Sequence, residues 1–299
     1  MRARMLDTPG RAYNLAVISV VQLGVVAYAE GLRLQQRLIE LRKAGQIGDL
    51  LLLLEHSPVI TLGRNARATN VLVSAEMLAA RGVEVFECDR GGDVTFHGPG
   101  QLVGYPIFDL RGYSSSRLAA ISSELDSGEA EGVDSRPWRK TLGAVDYVRR
   151  LEEVLIRTCG DFGIPTRRVA GLTGAWTEAE PAAADFVEKK IAAIGVHISR
   201  SVTSHGFALN VNTDLGYSDL IVPCGITAKP VTSMQQELGR EVYLNEVAQT
   251  VSRNFGTVFA SQMLWVETID ALLGNSVGVP LKTPDSLRQL RGEDELFLA

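Results

Sequence analysis

With 299 residues, 45% hydrophobic and 22% charged, the chain is long enough to bury a full core, as one large domain or one and a half. Its formal net charge of −5 argues against a nucleic-acid binder, which displays a basic footprint. No apolar run approaches the ~20 residues that span a bilayer, and residues 1–13 lack the uninterrupted apolar stretch of a signal peptide, so a cytoplasmic protein without membrane contact is expected.

The first expected element is an amphipathic helix over 28–41, where Leu32, Leu38, Ile39 and Leu41 fall among Arg, Gln and Glu at helical spacing and Gly45 closes the run. Five consecutive leucines, 50–54, are too few for an isolated helix and too apolar for a half-exposed strand. They predict a central strand buried on both faces, with 59–62 as its short partner. Ser74 caps a short helix carrying Met77 and Leu78 up to the Arg81-Gly82 stop. An apolar strand, 83–88, follows.

The run 90–106 is the densest part of the chain. Glycines at 91, 92, 98 and 100 permit positive φ and close approach of backbone N–H groups to a ligand. Arg90, Thr95, His97 and Gln101 add polar contacts. With buried strands expected at 83–88 and 102–107, it reads as a binding loop on a rigid scaffold. It is neither a dinucleotide fingerprint nor a P-loop, since no Gly-Lys-Ser/Thr occurs and a strand follows.

Residues 114–136 are rich in Ser, Glu, Asp and Gly, which suggests an exposed insertion. From 145 the apolar positions Val148, Leu151, Val154, Leu155 and Phe162 predict the longest helix, ending at Gly163 before Pro165. Strands are expected at Val169, at Ala175 and Trp176, at 191–198 and at 204–211, with Gly195 and Gly206 as bulges or points of close approach. Val247, Val251, Phe255 and Val258 define a final amphipathic helix over 244–259. The tail after Pro280 is polar. Strands and helices do not alternate strictly, which points to an α+β fold with a mixed sheet rather than a doubly wound one.

Cys88, Cys159 and Cys224 are an odd number of cysteines at wide spacings, so free thiols are expected rather than a disulfide framework or a zinc knuckle. Cys88 ends a strand and Cys159 sits in an amphipathic helix, both structural settings. Cys224 lies between Pro223 and Gly225, an arrangement suited to presenting a sulfur, and is the candidate nucleophile. A thiol with a pKa of about 8.5 is only a few per cent thiolate at neutral pH. It needs help, from His97 or His205 beside glycines, or from Lys190, whose ammonium would favour the thiolate. Composition does not choose among them. His197 and His205 lack a further ligand set for a metal, and no Gly-x-Ser-x-Gly elbow suggests a serine hydrolase.

These motifs, in this order, resemble the lipoyl(octanoyl) transferases of lipoate biosynthesis. The resemblance rests on Glu55-His56-Ser57-Pro58, Leu62-Gly63-Arg64, Arg90-Gly91-Gly92 with Thr95 and His97, Gly100-Gln101, Gly104-Tyr105-Pro106, Lys190-Ile191 followed by Gly195, Ser204-His205-Gly206 with Ala208-Leu209-Asn210, and Pro223-Cys224-Gly225. It implies a biotin/lipoate protein ligase-like catalytic domain, a mixed sheet flanked by helices, over 15–262, with residues 263–299 as an extension.

The resemblance further implies that Cys224 takes an octanoyl group from octanoyl-acyl carrier protein as a thioester. A lysine of a lipoyl domain, in a 2-oxo acid dehydrogenase or the glycine-cleavage H protein, then receives it. Lys190 is the matching catalytic lysine; neighbouring Lys189 is set aside because Lys190 directly precedes Ile191. Arg90, Gly91, Gly92, Asp93, Val94, Thr95, Phe96, His97, Ala193, Ile194, Gly195, Gly206, Phe207 and Ala208 are the implied substrate-binding residues, with His97 and His205 as proton-transfer candidates. A monomer with no cofactor or metal is expected. An ATP-dependent lipoate or biotin ligase, and a non-catalytic carrier- or lipoyl-domain-binding module, are the rival readings.

Overall fold

The computed structural model describes residues 16–113, 141–178, 187–222 and 229–277. The expected insertion at 114–136, the Pro223-Cys224-Gly225 motif and the tail after Pro280 lie outside the described residues.

An eight-stranded mixed sheet forms the body, in the order β11-β1-β2-β6-β10-β9-β8-β7. Its centre is β2 (Asp49–His56), where the five leucines divide by the two-residue period of a strand. Leu50, Leu52 and Leu54 face α1 (Tyr28–Lys43) with its Leu34, Leu38 and Leu41. Leu51 and Leu53 face the opposite layer, made by α3 (Ala144–Asp161), the short α4 (Met234–Leu238) and α5 (Leu244–Val258). On that side Tyr147, Leu151, Val154 and Leu155 meet Val247, Val251 and Phe255. Both faces of the sheet are covered, which is why this strand reads as a continuous apolar run.

Several expectations need correction. The segment 59–62, β3 (Val59–Leu62), does not pair with β2. It joins β4 (Glu84–Glu87) and β5 (Val94–His97) in a separate three-stranded sheet, order β4-β3-β5. β4 is exposed along most of its length, so only the strand leading out of the glycine-rich run is buried. The run itself is not one loop: it contains β5 and the first residues of β6 (Gln101–Ile107). In α2 (Ala75–Ala80) Ser74 does cap, its Oγ accepting from Met77 N at 3.4 Å, and Leu78 is buried while Met77 points to solvent.

Besides β5, two strands were not expected. β1 (Ala16–Val26) precedes the first expected helix and runs parallel to both β2 and β11 (Ser261–Trp265). β11 therefore crosses the boundary expected at 262/263. Beyond it α6 (Ile269–Val277) places Ile269, Leu272 and Leu273 in the core on the α1 face. β7 (Thr166–Val169), β8 (Leu172–Thr177), β9 (Lys190–Ser199) and β10 (Val202–Asn210) complete the sheet. Gly195 and Gly206 are direct cross-strand partners without a bulge; what they provide is close approach.

Candidate functional site

The site forms where the small sheet lies over β9 and β10, and it consists of two adjoining clefts. One, of about 460 Å³, is bordered by Lys190, Gln101, Asn210, Ile221 and Val231. The other, of about 470 Å³, is bordered by the 90–93 turn, Thr95, His97, Tyr28, Tyr105, residues 193–195 of β9 and residues 205–208 of β10. Thr95, Ala193 and Ala208 belong to both. Nearly all the implied substrate-binding residues are thus brought together. The exception is Val94, whose side chain is buried with Ile60 and Leu78 under the small sheet. Phe96 borders the Lys190 cleft and stacks on Tyr217, ring centroids 4.5 Å apart.

Why glycines are needed here is a matter of backbone contact. A Cβ on Gly195 would stand 2.7 Å from Gly91 O, and one on Gly206 only 2.1 Å from Gly104 O. Their missing side chains therefore make room for the protein's own strands and turn. Gly91 N donates to Val196 O at 3.0 Å, tying the turn onto β9, and Gly92 has φ of +94°, a conformation that glycine adopts at little cost.

Arg90 holds this turn in place. Its buried guanidinium donates to Thr61 O at 2.7 Å, to Thr61 Oγ1 through two nitrogens and to Gly91 O at 3.1 Å. Among the described residues no carboxylate pairs with it. Asp93 accepts from Arg67 N, Asn70 Nδ2 and Val94 N, closing the other end of the turn.

Three histidines have their proton positions set by neighbours. Gln101 Nε2 donates to Phe96 O and Asn210 Oδ1, so its oxygen is the acceptor for His97 Nδ1–H at 2.7 Å. His56 Nδ1–H donates to Val26 O at 2.7 Å, leaving Nε2 to accept from the Tyr105 hydroxyl at 2.6 Å. His205 Nε2 donates to Asp89 Oδ1 at 2.7 Å, and Asp89 also stands 3.7 Å from His197.

Burial pushes His97 down to about 3, with the neighbouring His56 and Arg90 adding to the effect against the Gln101 hydrogen bond. Burial likewise takes His56 down to about 4 and lowers His205 despite the Asp89 carboxylate. All three are neutral at physiological pH, so His97 and His205 serve as hydrogen-bonding groups rather than stores of positive charge. His205 also has φ of +55°, a strained conformation for a side chain of this size, stabilised in part by its N–H donating to Gln35 Oε1 at 2.9 Å. Among the described residues no His, Cys, Asp and Glu groups are placed to hold a metal.

Lys190 is 7% exposed. Its ammonium lies over the Trp176 ring, 5.3 Å from the centroid, and its backbone is held by Pro230 O and Thr232 N. Gly174, with φ of +128°, leaves a path for it, since a Cβ there would stand 2.9 Å from Lys190 Cε. Lys189 instead faces outward and pairs with Glu237 at 3.0 Å. Gly174, Trp176 and Asp89 were not singled out for the site: each acts through strand register or a fold-back contact, for which sequence spacing gives no signal. Cys88 is half-buried and Cys159 fully buried, the latter's thiol pushed up to about 12 by burial. Both keep structural settings.

With the geometry established, comparison with known proteins identifies the family. The Lipoyl protein ligase A/B catalytic domain matches residues 27–122 and 136–256; the interval between the two stretches falls inside the expected insertion. An octanoyltransferase of Koribacter versatilis is 56% identical over 282 residues, covering 94% of this chain and all of that protein. One from Acidobacterium capsulatum is 54% identical, covering 86% and 96%.

Among solved structures, a bipartite lipoate protein ligase from Thermoplasma acidophilum superposes with a TM-score of 0.61 at 15% identity, covering 95% and 94% of the two chains. A lipoate-protein ligase A bound with ATP gives 0.59 at 14%, covering 94% and 96%. At these identities the likeness concerns the fold, which is the expected mixed sheet flanked by helices. The chain belongs to the lipoyl protein ligase A/B catalytic-domain family and, within it, to the octanoyltransferases, acyltransferase enzymes.

Proposed function

We propose that this enzyme takes an octanoyl group from octanoyl-acyl carrier protein onto Cys224 and passes it to a lysine of a lipoyl domain, without ATP. One observation carries the reading. Ile221 and Val231, on either side of the Pro223-Cys224-Gly225 motif, both border the cleft that holds Lys190. Val222 N donates to Asn70 O at 2.7 Å on one side. On the other, the Lys229 ammonium lies over the same Trp176 ring, 5.8 Å from its centroid, and pairs with Glu188.

In the first half-reaction the Cys224 thiolate attacks the carbonyl of the carrier's thioester. A new carbon–sulfur bond forms, the old one breaks, and the carrier leaves as its thiolate, which takes up a proton equivalent to the one Cys224 gave up. In the second, the acceptor's amine attacks the acyl-Cys224 carbonyl, an amide forms, and the amine's proton ends on the departing Cys224 sulfur. The first exchange is nearly isoenergetic, and conversion of a thioester to an amide drives the second. An adjacent ammonium, assigned to Lys190, favours the thiolate electrostatically. The acceptors implied are lipoyl domains of 2-oxo acid dehydrogenases and of the glycine-cleavage H protein, and the enzyme works as a monomer in the cytoplasm.

Intact-mass analysis after mixing with octanoyl-acyl carrier protein tests this. An octanoyl adduct on Cys224, discharged by a lipoyl domain as amide, is expected. Cys224→Ala should give neither adduct nor amide, with or without ATP; amide formed by that variant when ATP is added would establish the ligase reading instead.

A further inference from the structure

The approach of Trp176 to Lys190 depends on an irregularity in the sheet. Along the β8–β9 ladder Ala175 stands opposite Ala192, but Trp176 stands opposite Lys190, so Ile191 is an extra residue and β9 is bulged there. In an unbroken ladder Trp176 would face Ile191, and the Lys190 side chain would lie on the side of the sheet away from the ring. The bulge puts ring and ammonium on one face.

The neighbouring stretch of β8 is held by a helix rather than by a strand. Gly174 has no Cα partner in either the β7–β8 or the β8–β9 register, and its N–H donates to Glu152 Oε1 of α3 at 3.1 Å. The other carboxylate oxygen accepts from Arg149 Nη1 at 2.7 Å and from Arg168 Nε at 3.1 Å. Arg168 itself sits where the β7–β8 register shifts, between Arg167 and Val169. The Glu152 side chain is fully buried, a setting that is costly for a carboxylate unless its lone pairs are used. Three donors, from α3, β7 and β8, use them. An amide offers one acceptor oxygen and an NH2 group to the same three donors, so in Glu152→Gln at least one of them faces another donor.

We propose that Glu152 is a positioning residue for the transfer reaction: by anchoring Gly174 it holds β8 against the bulge of β9, with Trp176 beneath the Lys190 ammonium. Gly174 abuts both the backbone of β9 and the lysine, since a Cβ there would stand 2.4 Å from Ala192 O and 2.9 Å from Lys190 Cε. The proposal rests on the reading above that Lys190 favours the Cys224 thiolate.

The test measures the pH dependence of Cys224 alkylation in the full-length protein, resolved by peptide mass, for the parent, Glu152→Gln, Lys190→Met and Val251→Ala. Val251, buried in the same layer but on α5, controls for lost stability alone. Removing a negative charge would by itself lower the midpoint; a rise therefore reports a displaced ammonium. Glu152→Gln should raise the midpoint by roughly 0.5 unit, part of the about 1–3 units that a neighbouring opposite charge is worth. Lys190→Met should raise it further, and Val251→Ala should leave it in place. A folded Glu152→Gln protein whose midpoint is unchanged or lower, or a Val251→Ala midpoint that rises as far, would overturn the positioning role while leaving that of Lys190 intact. Should Glu152→Gln fail to fold, Glu152→Asp, which keeps the charge and withdraws the oxygen from Gly174, takes its place, with a rise again expected and the parent's midpoint again overturning the proposal. If Lys190→Met leaves the midpoint where it was, the Lys190 reading itself falls, and the positioning role with it.

Discussion

Lys190 illustrates how much arrangement a single side chain requires. Desolvating an ammonium costs several kcal/mol when nothing replaces its water. Here the aromatic face of Trp176 lies beneath the charge, an interaction of about 2 kcal/mol when desolvated. Gly174 supplies the space through which the side chain passes, and two backbone hydrogen bonds fix the strand end that bears it. The Arg90 guanidinium is buried on the other side of the site, but its donors go to Thr61 and Gly91, so it braces the turn. In the proposed mechanism Lys190, which borders the same cleft as Ile221 and Val231, is the cation assigned to the sulfur. Replacing it with Met keeps length and apolar contact and removes the charge. A single opposite charge shifts a pKa by about 1–3 units, so the pH midpoint for Cys224 alkylation should rise by roughly 1 unit or more in Lys190→Met. Superimposable alkylation profiles would remove Lys190 from that role.

At the scale of elements, what was legible followed from periodicity and what was not depended on pairing partners distant in sequence. The five leucines of β2 announced a strand covered on both faces, and α3 and α5 showed their apolar stripes plainly. β1 gave no such signal, since its burial follows no two-residue alternation and its register with β2 shifts between Gln22 and Val25. β11 is only five residues long and takes its place solely by running alongside β1.

The site had the same split. The glycine-rich run and the paired small residues of β9 and β10 were readable as motifs. The hydrogen bond from Gln101 to Asn210 joins residues 109 apart and depends on the registry of β6 with β10. The unexpected C-terminal elements also make a prediction. A chain ended after residue 262 keeps the expected catalytic span yet loses most of β11 and the buried Ile269, Leu272 and Leu273. Each such side chain contributes about 1.5–3 kcal/mol by burial, so the shortened protein should melt well below one ended after 277. Equal melting temperatures would show that residues 263–277 are dispensable to the fold.

Across the whole molecule the buried imidazoles make stability depend on pH in a defined direction. His56 and His97 are neutral in the folded chain, held at about 4 and about 3, while an unfolded imidazole takes up a proton near 6.5. Between those values the unfolded state binds more protons than the folded one, so stability is complete above about pH 6.5 and falls as pH is lowered toward the folded-state values. By pH 5 the loss is on the order of 2 kcal/mol for each imidazole. His97 borders one cleft and His56 is buried behind Tyr105, the two being joined through Gln101 and Tyr105 to β6, so the cost falls on the strand that supports the candidate site.

Carboxylates such as Asp109, lowered by its Arg111 hydrogen bond, add to acid sensitivity only at lower pH, because their unfolded values lie near 4. The window from pH 6.5 to 5 therefore isolates the histidines. Thermal unfolding at pH 7.5, 6 and 5 should show a steep decline for the parent protein. His56→Asn should be less stable at pH 7.5, having lost its bonds to Val26 and Tyr105, but should decline less steeply. Parallel declines in the two proteins would mean that His56 is not carrying the proton uptake and that its neutrality in the fold must be given up.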